Sequence, residues 1–299
     1  MLGSKTENTT AKTDLSKFKP KFKKELVHKD ININTSSKTI EKDIEKKNSK
    51  RQHVKIEYEA SASKMNKVMP GDWETVLENL REMRKNFNAP VDSMGCDKCQ
   101  DENAVPEVMR YQTLLALMLS SQTKDEITHG AMTRLRKHGC TVENVLNTSD
   151  EELGKLIIPV GFWKSKVKCI KKTSEILKNH YNCDIPRTVE ELCKLPGVGP
   201  KMAHLCMKTA WGEITGIGVD THVHRISNRL GWAHSRTPED TRKILEGWLP
   251  FEFWSEVNHL LVGFGQQICQ PLKPQCSICL NHNICPYGIK HKNGSKKRH

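Results

Sequence analysis

Three sets of side chains in this sequence have types and spacings that can do chemistry. The first is Lys201, within Leu195-Pro196-Gly197-Val198-Gly199-Pro200-Lys201-Met202-Ala203. A lysine amine can attack an electrophilic carbon and stay attached as a Schiff base, but only in its neutral form. An ordinary value near 10.4 leaves less than about 0.1% neutral at pH 7, so the surroundings must disfavour the charge, as a helix N-terminus and partial desolvation both do. The second is Asp220, nineteen residues further on within Gly218-Val219-Asp220-Thr221-His222-Val223-His224-Arg225-Ile226. A carboxylate there can shuttle protons or stabilise positive charge that develops during a reaction. The third is Cys269, Cys276, Cys279 and Cys285, spaced C-x6-C-x2-C-x5-C. A separate Cys96-x-x-Cys99 pair has no second pair nearby and makes a poor metal site.

Local elements must hold these groups in place. One short helix ends at Leu195 and another begins at Pro200, since proline suits the first helical position. Gly197 and Gly199 can take positive φ, which lets the Val198 and Gly199 amides point outward as a nest for an anion. The free N-H groups of the next helix add to that site, beside Lys201. Taken alone, the nonapeptide reads more readily as a tight αα turn with an exposed lysine. Asp220 precedes a helix starting at Thr221 and so reads as its N-cap. That role is compatible with chemistry, because a capped aspartate is rigid and ionised.

The Leu195 to Ala203 segment resembles the helix-hairpin-helix of DNA glycosylases, and Lys201 stands where bifunctional members of the endonuclease III family carry their catalytic lysine. Gly218 to Ile226 resembles that family's aspartate motif, and the four cysteines are spaced like its iron-sulfur loop. The resemblance runs from about Asp72 to Tyr287 and points to a eukaryotic endonuclease III homologue.

What this resemblance implies is a monomeric DNA glycosylase with β-lyase activity that removes oxidised pyrimidines from duplex DNA in base-excision repair. It would act on duplexes with a damaged pyrimidine or an abasic site, and carry a [4Fe-4S] cluster on Cys269, Cys276, Cys279 and Cys285. Lys201 and Asp220 would be catalytic. Gly197, Val198 and Gly199 would meet the DNA backbone, and Lys273 would do so from the cluster loop. The target nucleotide must be extruded to be reached. Gln122, in Leu119-Ser120-Ser121-Gln122-Thr123-Lys124-Asp125, and Phe162, in Val160-Gly161-Phe162-Trp163-Lys164-Ser165-Lys166, match the residues that fill the vacated stack.

Blander roles exist for each: a surface cap for Gln122, core packing for Phe162, phosphate contact or packing for His222 and His224. Zinc is the alternative for the cysteines, although zinc sites usually show two close pairs. An adenine-mismatch glycosylase shares the hairpin, aspartate and cluster but not the lysine. A DNA-binding module without catalysis is the reading from another class.

The net charge of +13 is uneven. Residues 1 to 70 hold 17 basic against 9 acidic groups and the last ten residues hold five basic groups and no acid, so residues 71 to 289 are neutral overall. Any DNA-binding face on that body must be local. Residues 1 to 70, rich in Lys, Ser, Thr and Asn, are expected to be a disordered basic tail, and 289 to 299 a second basic tail. Lys17-Phe18-Lys19-Pro20-Lys21-Phe22-Lys23-Lys24 fits a nuclear-import or nucleic-acid contact as well as a merely solvated tail. The expected address is the nucleus, with the mitochondrion second because the first arginine is Arg51 and acids come early. Eleven cysteines, an odd number, and no signal-like apolar run point to a reducing intracellular compartment. No stretch reaches the roughly 18 apolar residues of a membrane span.

Between the tails the pattern is helical. Trp73, Val76, Leu77, Leu80, Met83 and Phe87 form one apolar face behind Asp72 as N-cap. A loop with Cys96 and Cys99 follows, then a helix from Pro106 that is apolar all round at Leu114 to Leu119. Further helices are expected at 123–138, 142–147, 150–157, 162–179, 189–195, 200–211, 221–231, 238–248 and 252–263. Ser149 with Glu152 and Thr188 with Glu191 fit capping boxes, and Thr237-Pro238 is a cap followed by a first-turn proline. The class is all-α. The resemblance implies a six-helix domain at 103–213 and a cluster domain from 71–102 and 214–288, with the active site between them.

Overall fold

The computed structural model describes residues 69–295, with side chains through Lys290. The N-terminal tail expected over 1–70, its Lys17 to Lys24 segment and the end of the second tail lie outside the described residues. Among the described residues every regular element is a helix.

The first helix, α1 (Trp73–Arg84), buries Trp73, Val76, Leu77, Leu80 and also Arg84. Asp72 occupies the N-cap position but accepts no cap hydrogen bond, and Phe87 lies beyond the helix, exposed, rather than on its apolar face. In place of the expected loop come α2 (Pro90–Met94) and a 3-10 turn at Cys96–Lys98. Arg84 reaches from α1 to Asp92 on α2 at 2.6 Å, and Asp92 also accepts from His259 at 2.7 Å. Burial alone would raise the Asp92 carboxyl, but those hydrogen bonds win and hold it lowered.

Seven helices come next: α3 (Pro106–Ser120), α4 (Asp125–His138), α5 (Val142–Asn147), α6 (Asp150–Ile157), α7 (Trp163–His180), α8 (Val189–Leu192) and α9 (Pro200–Trp211). Their apolar faces enclose one core, at whose centre Leu114, Leu115 and Leu119 of α3 are fully buried. Each buried leucine contributes about 1.5–3 kcal/mol relative to exposure. The caps that the sequence announced are made: Ser149 accepts from the Glu152 amide, and Thr188 from that of Glu191.

A second core forms from α1 with α10 (Thr221–Leu230), α11 (Pro238–Trp248) and α12 (Trp254–Gln267). Trp73 sets α1 on this core, meeting Trp248 and Phe253 edge-on at 5.9 and 5.4 Å between ring centres. Thr237 caps α11 through the Asp240 amide, and a 3-10 turn at Phe251–Phe253 leads into α12. The last element, α13 (Pro286–Ser295), carries the chain as helix into the segment expected to be tail. No described helix is long and apolar enough to cross a membrane.

Candidate active site and the cysteine-lined cavity

The hairpin around Lys201 is held from behind by α7. Thr173 Oγ1 donates to the Pro196 carbonyl at 3.3 Å, and Cys169 lies against Gly197. Gly197 has φ +84, a conformation that a side chain would strain. Gly199, in contrast, is extended at φ −118 and ψ 175 as the N-cap of α9, with Pro200 following as first helical residue. The Val198 amide is not free for an anion. It donates to the Leu195 carbonyl at 3.1 Å, and the Val198 side chain is buried. The first intrahelical bond of α9 is Ala203 N-H to the Gly199 carbonyl at 2.9 Å, which leaves the Lys201 and Met202 amides as the first-turn donors without a helical acceptor.

Asp220 follows a connecting segment that packs against the middle of α9. After the left-handed cap at Gly212 the chain doubles back along the helix: Thr215 Oγ1 meets His204 Nδ1 at 3.0 Å, and a Cβ on Gly218 would lie 2.6 Å from Leu205 Cδ2. Asn258 Nδ2 donates to the Gly218 carbonyl and fixes the passage. Two residues later Asp220 caps α10, its Oδ1 accepting from the Val223 amide at 2.8 Å. Lys201 and Asp220 thus stand at two helix N-termini, linked by a segment that packs on His204 and Leu205 of α9.

His222 registers both charges. Its burial lowers its imidazole pKa, with Asp220 pulling upward and Lys201 pushing down among the weaker influences. His224 is tied to Thr241 Oγ1 at 2.7 Å, in keeping with packing. A second carboxylate, Asp125, begins α4 and lies within electrostatic reach of Lys201 and His222. Burial raises it, opposed by a 2.7 Å hydrogen bond from Gln266 Nε2. Sequence reading gave Asp125 no role, because its neighbours come from α9, α10 and α12.

Gln122 and Phe162 are both exposed, Phe162 at 66%, so core packing is not the role of that ring. Both are left-handed, with φ +50 and +55.

Cys269, Cys276, Cys279 and Cys285 line one cavity together with Leu230, Phe264, Ile268 and Arg229. Among the described residues no three His, Cys, Asp or Glu form a ready site for a single metal ion. Four thiols around an apolar cavity are the donor set that an iron-sulfur cluster requires. Arg229 was passed over in the sequence. It donates to Cys269 Sγ at 3.3 Å and to the Gln270 and Pro271 carbonyls at 2.8 Å each, and stacks on Tyr287 at 4.4 Å. The one available signal was a basic pair, Arg225 and Arg229, one turn apart on α10. Lys273 is exposed in the loop that Arg229 pins.

Helices as the only regular elements among the described residues, a lysine-bearing hairpin and a helix-capping aspartate are the framework of the helix-hairpin-helix DNA glycosylases. Residues 115–251 match the family model described as HhH-GPD superfamily base excision DNA repair protein. The chain is 58% identical over 238 residues to endonuclease III-like protein 1 of Gallus gallus, covering 78% of this chain and 85% of that one. It is 61% identical over 219 residues to endonuclease III-like protein 1 of Mus musculus, covering 73% of each. Two solved structures share the fold. A trapped endonuclease III–DNA covalent intermediate aligns with a TM-score of 0.65 at 29% identity, covering 74% of this chain and 97% of that one. A non-covalent endonuclease III–DNA complex aligns with a TM-score of 0.62 at 31% identity, covering 74% and 98%. The chain belongs to the endonuclease III family, whose members are DNA glycosylases with AP lyase activity in base-excision repair.

Proposed function

We propose that this chain removes oxidised pyrimidines from duplex DNA, with Lys201 as nucleophile and Asp220 as its electrostatic and proton-handling partner. The observation that supports this reading is that His222, two residues past Asp220, lies within electrostatic reach of both Asp220 and Lys201. The neutral amine attacks C1′ and the bond from C1′ to the base breaks, the base leaving with the electron pair and taking up a proton. Ring opening leaves a Schiff base on Lys201. Loss of a proton from C2′ then expels the 3′ phosphate, and water releases the enzyme. Asp220, held in place by the Val223 amide, stabilises positive charge at the sugar and relays protons. The Gly199, Lys201 and Met202 amides, in place of Val198, hold a backbone phosphate, and Lys273 supplies a second contact. Gln122 and Phe162 fill the gap left by the extruded nucleotide. The protein acts as a monomer.

A duplex with one oxidised pyrimidine tests the substrate. Base release and strand cleavage at the lesion are expected from one preparation, with an adenine-mismatch duplex left intact. Adenine release alone would favour the mismatch reading, and binding without product the non-catalytic one.

The four cysteines would hold a [4Fe-4S] cluster, which would fix the loop from Gln270 to Gln275; Arg229 ties that loop to α10 directly. Purified protein should show broad visible absorption and about four irons per chain. Cys276→Ser should lose that absorption and most soluble protein. A colourless wild type with one zinc per chain would overturn the cluster.

A further inference from the structure

We propose that Lys166 is a positioning residue that locks the Gln122 and Phe162 turns into a single preorganised wedge. Lys166 is only 8% exposed, and its Nζ donates to the Leu119 carbonyl at 2.7 Å, the Ser121 carbonyl at 2.6 Å and Thr123 Oγ1 at 3.2 Å. All three acceptors are neutral, and they bracket Gln122. Leu119 and Ser121 lie at the C-terminal end of α3, where carbonyls lack helical donors and a cation meets the negative end of the helix. The lysine itself stands on the first turn of α7, its amide bonded to the Phe162 carbonyl at 3.1 Å. One side chain therefore fastens the end of the helix before Gln122 to the start of the helix after Phe162.

A second tie lies alongside. Thr123 Oγ1 accepts from the Gly161 amide at 3.1 Å, and a Cβ on Gly161 would fall 2.7 Å from the Gln122 carbonyl oxygen. Only glycine lets the two turns approach backbone to backbone. Left-handed φ is unfavourable for a non-glycine residue, so neither Gln122 nor Phe162 keeps it without support from its neighbours. Burial pushes the Lys166 amine down to about 8, so keeping a cation here is costly, and the three oxygens offset the cost. That cost falls where two exposed side chains must be held at a fixed separation.

The inference rests on the wedge roles of Gln122 and Phe162, and the test separates the two. Full-length Lys166→Met is compared with wild type on the same lesion in a fully paired duplex and opposite a one-nucleotide gap, where the stack is already open. The variant should lose about tenfold or more in single-turnover rate on the paired duplex and less than about threefold on the gapped one, since extrusion must break stacking only when the stack is closed. The rise in fluorescence of a 2-aminopurine beside the lesion, which reports extrusion, should slow with it. Adding Lys166→Met to the Gln122→Ala Phe162→Ala double variant should lower the rate no further. Equal losses on both duplexes, or a fully additive loss, would reduce Lys166 to a stability residue. If the double variant keeps the wild-type rate on paired DNA, the wedge reading itself falls. Should Lys166→Met fail to fold, Thr123→Val removes the shared hydroxyl and is held to the same two-substrate comparison.

Discussion

Lys201→Gln is expected to lower base release and strand cleavage together by on the order of 10⁴-fold, with duplex affinity close to that of the wild type. Both losses follow from one missing atom, because the same nitrogen displaces the base and carries the imine through elimination. The substitution sits at the second position of α9, where glutamine is a good helix former, so the hairpin should survive. Lys201→Arg should be equally inactive, since a guanidinium stays protonated and forms no imine. Single-turnover assays on one lesion-bearing duplex measure both steps. A variant that keeps base release but loses only cleavage would assign the displacement to water.

Asp220→Asn is expected to lose about 10²–10³-fold in turnover while still binding DNA. Asparagine caps a helix as well as aspartate does, so the Val223 amide keeps an acceptor and α10 its start; only the negative charge goes. Asp220→Ala would confound the result by removing the cap, at about 1 kcal/mol. Circular dichroism melts of the Asn variant should overlay those of the wild type. A matching loss of stability would mean that the residue serves the fold and not the reaction.

Much of this site was legible because its signals are local. The hairpin is a run of nine residues whose proline and glycine chemistry sets its turn, and Asp220 caps the helix beginning one residue later. The helices at 150–157, 200–211 and 238–248 begin where Ser149, Pro200 and Thr237-Pro238 say they should, and the second of them stops at Gly212. The sequence misled where a local rule competed with a contact from far along the chain. Asp72 is an N-cap by type and position yet makes no cap bond, and the first apolar stripe carries not Phe87 but Arg84, paired in the interior with Asp92. Outward amides for both Val198 and Gly199 followed from having two glycines, but the turn itself uses the Val198 amide. Lys166 and Arg229 carry no local signal because their acceptors are backbone carbonyls 45 and 47 residues away for Lys166, and 41 and 42 away for Arg229. Backbone acceptors carry no side-chain identity, so no motif could announce them.

The central claim is that Lys201 is the nucleophile, and reductive trapping tests it most directly. Borohydride is added while the protein acts on a duplex with one oxidised pyrimidine, and the cross-linked peptide is mapped by mass spectrometry. The adduct should lie on Lys201 and be absent from Lys201→Gln. An adduct on another amine, or trapping that persists in Lys201→Gln, would contradict the assignment.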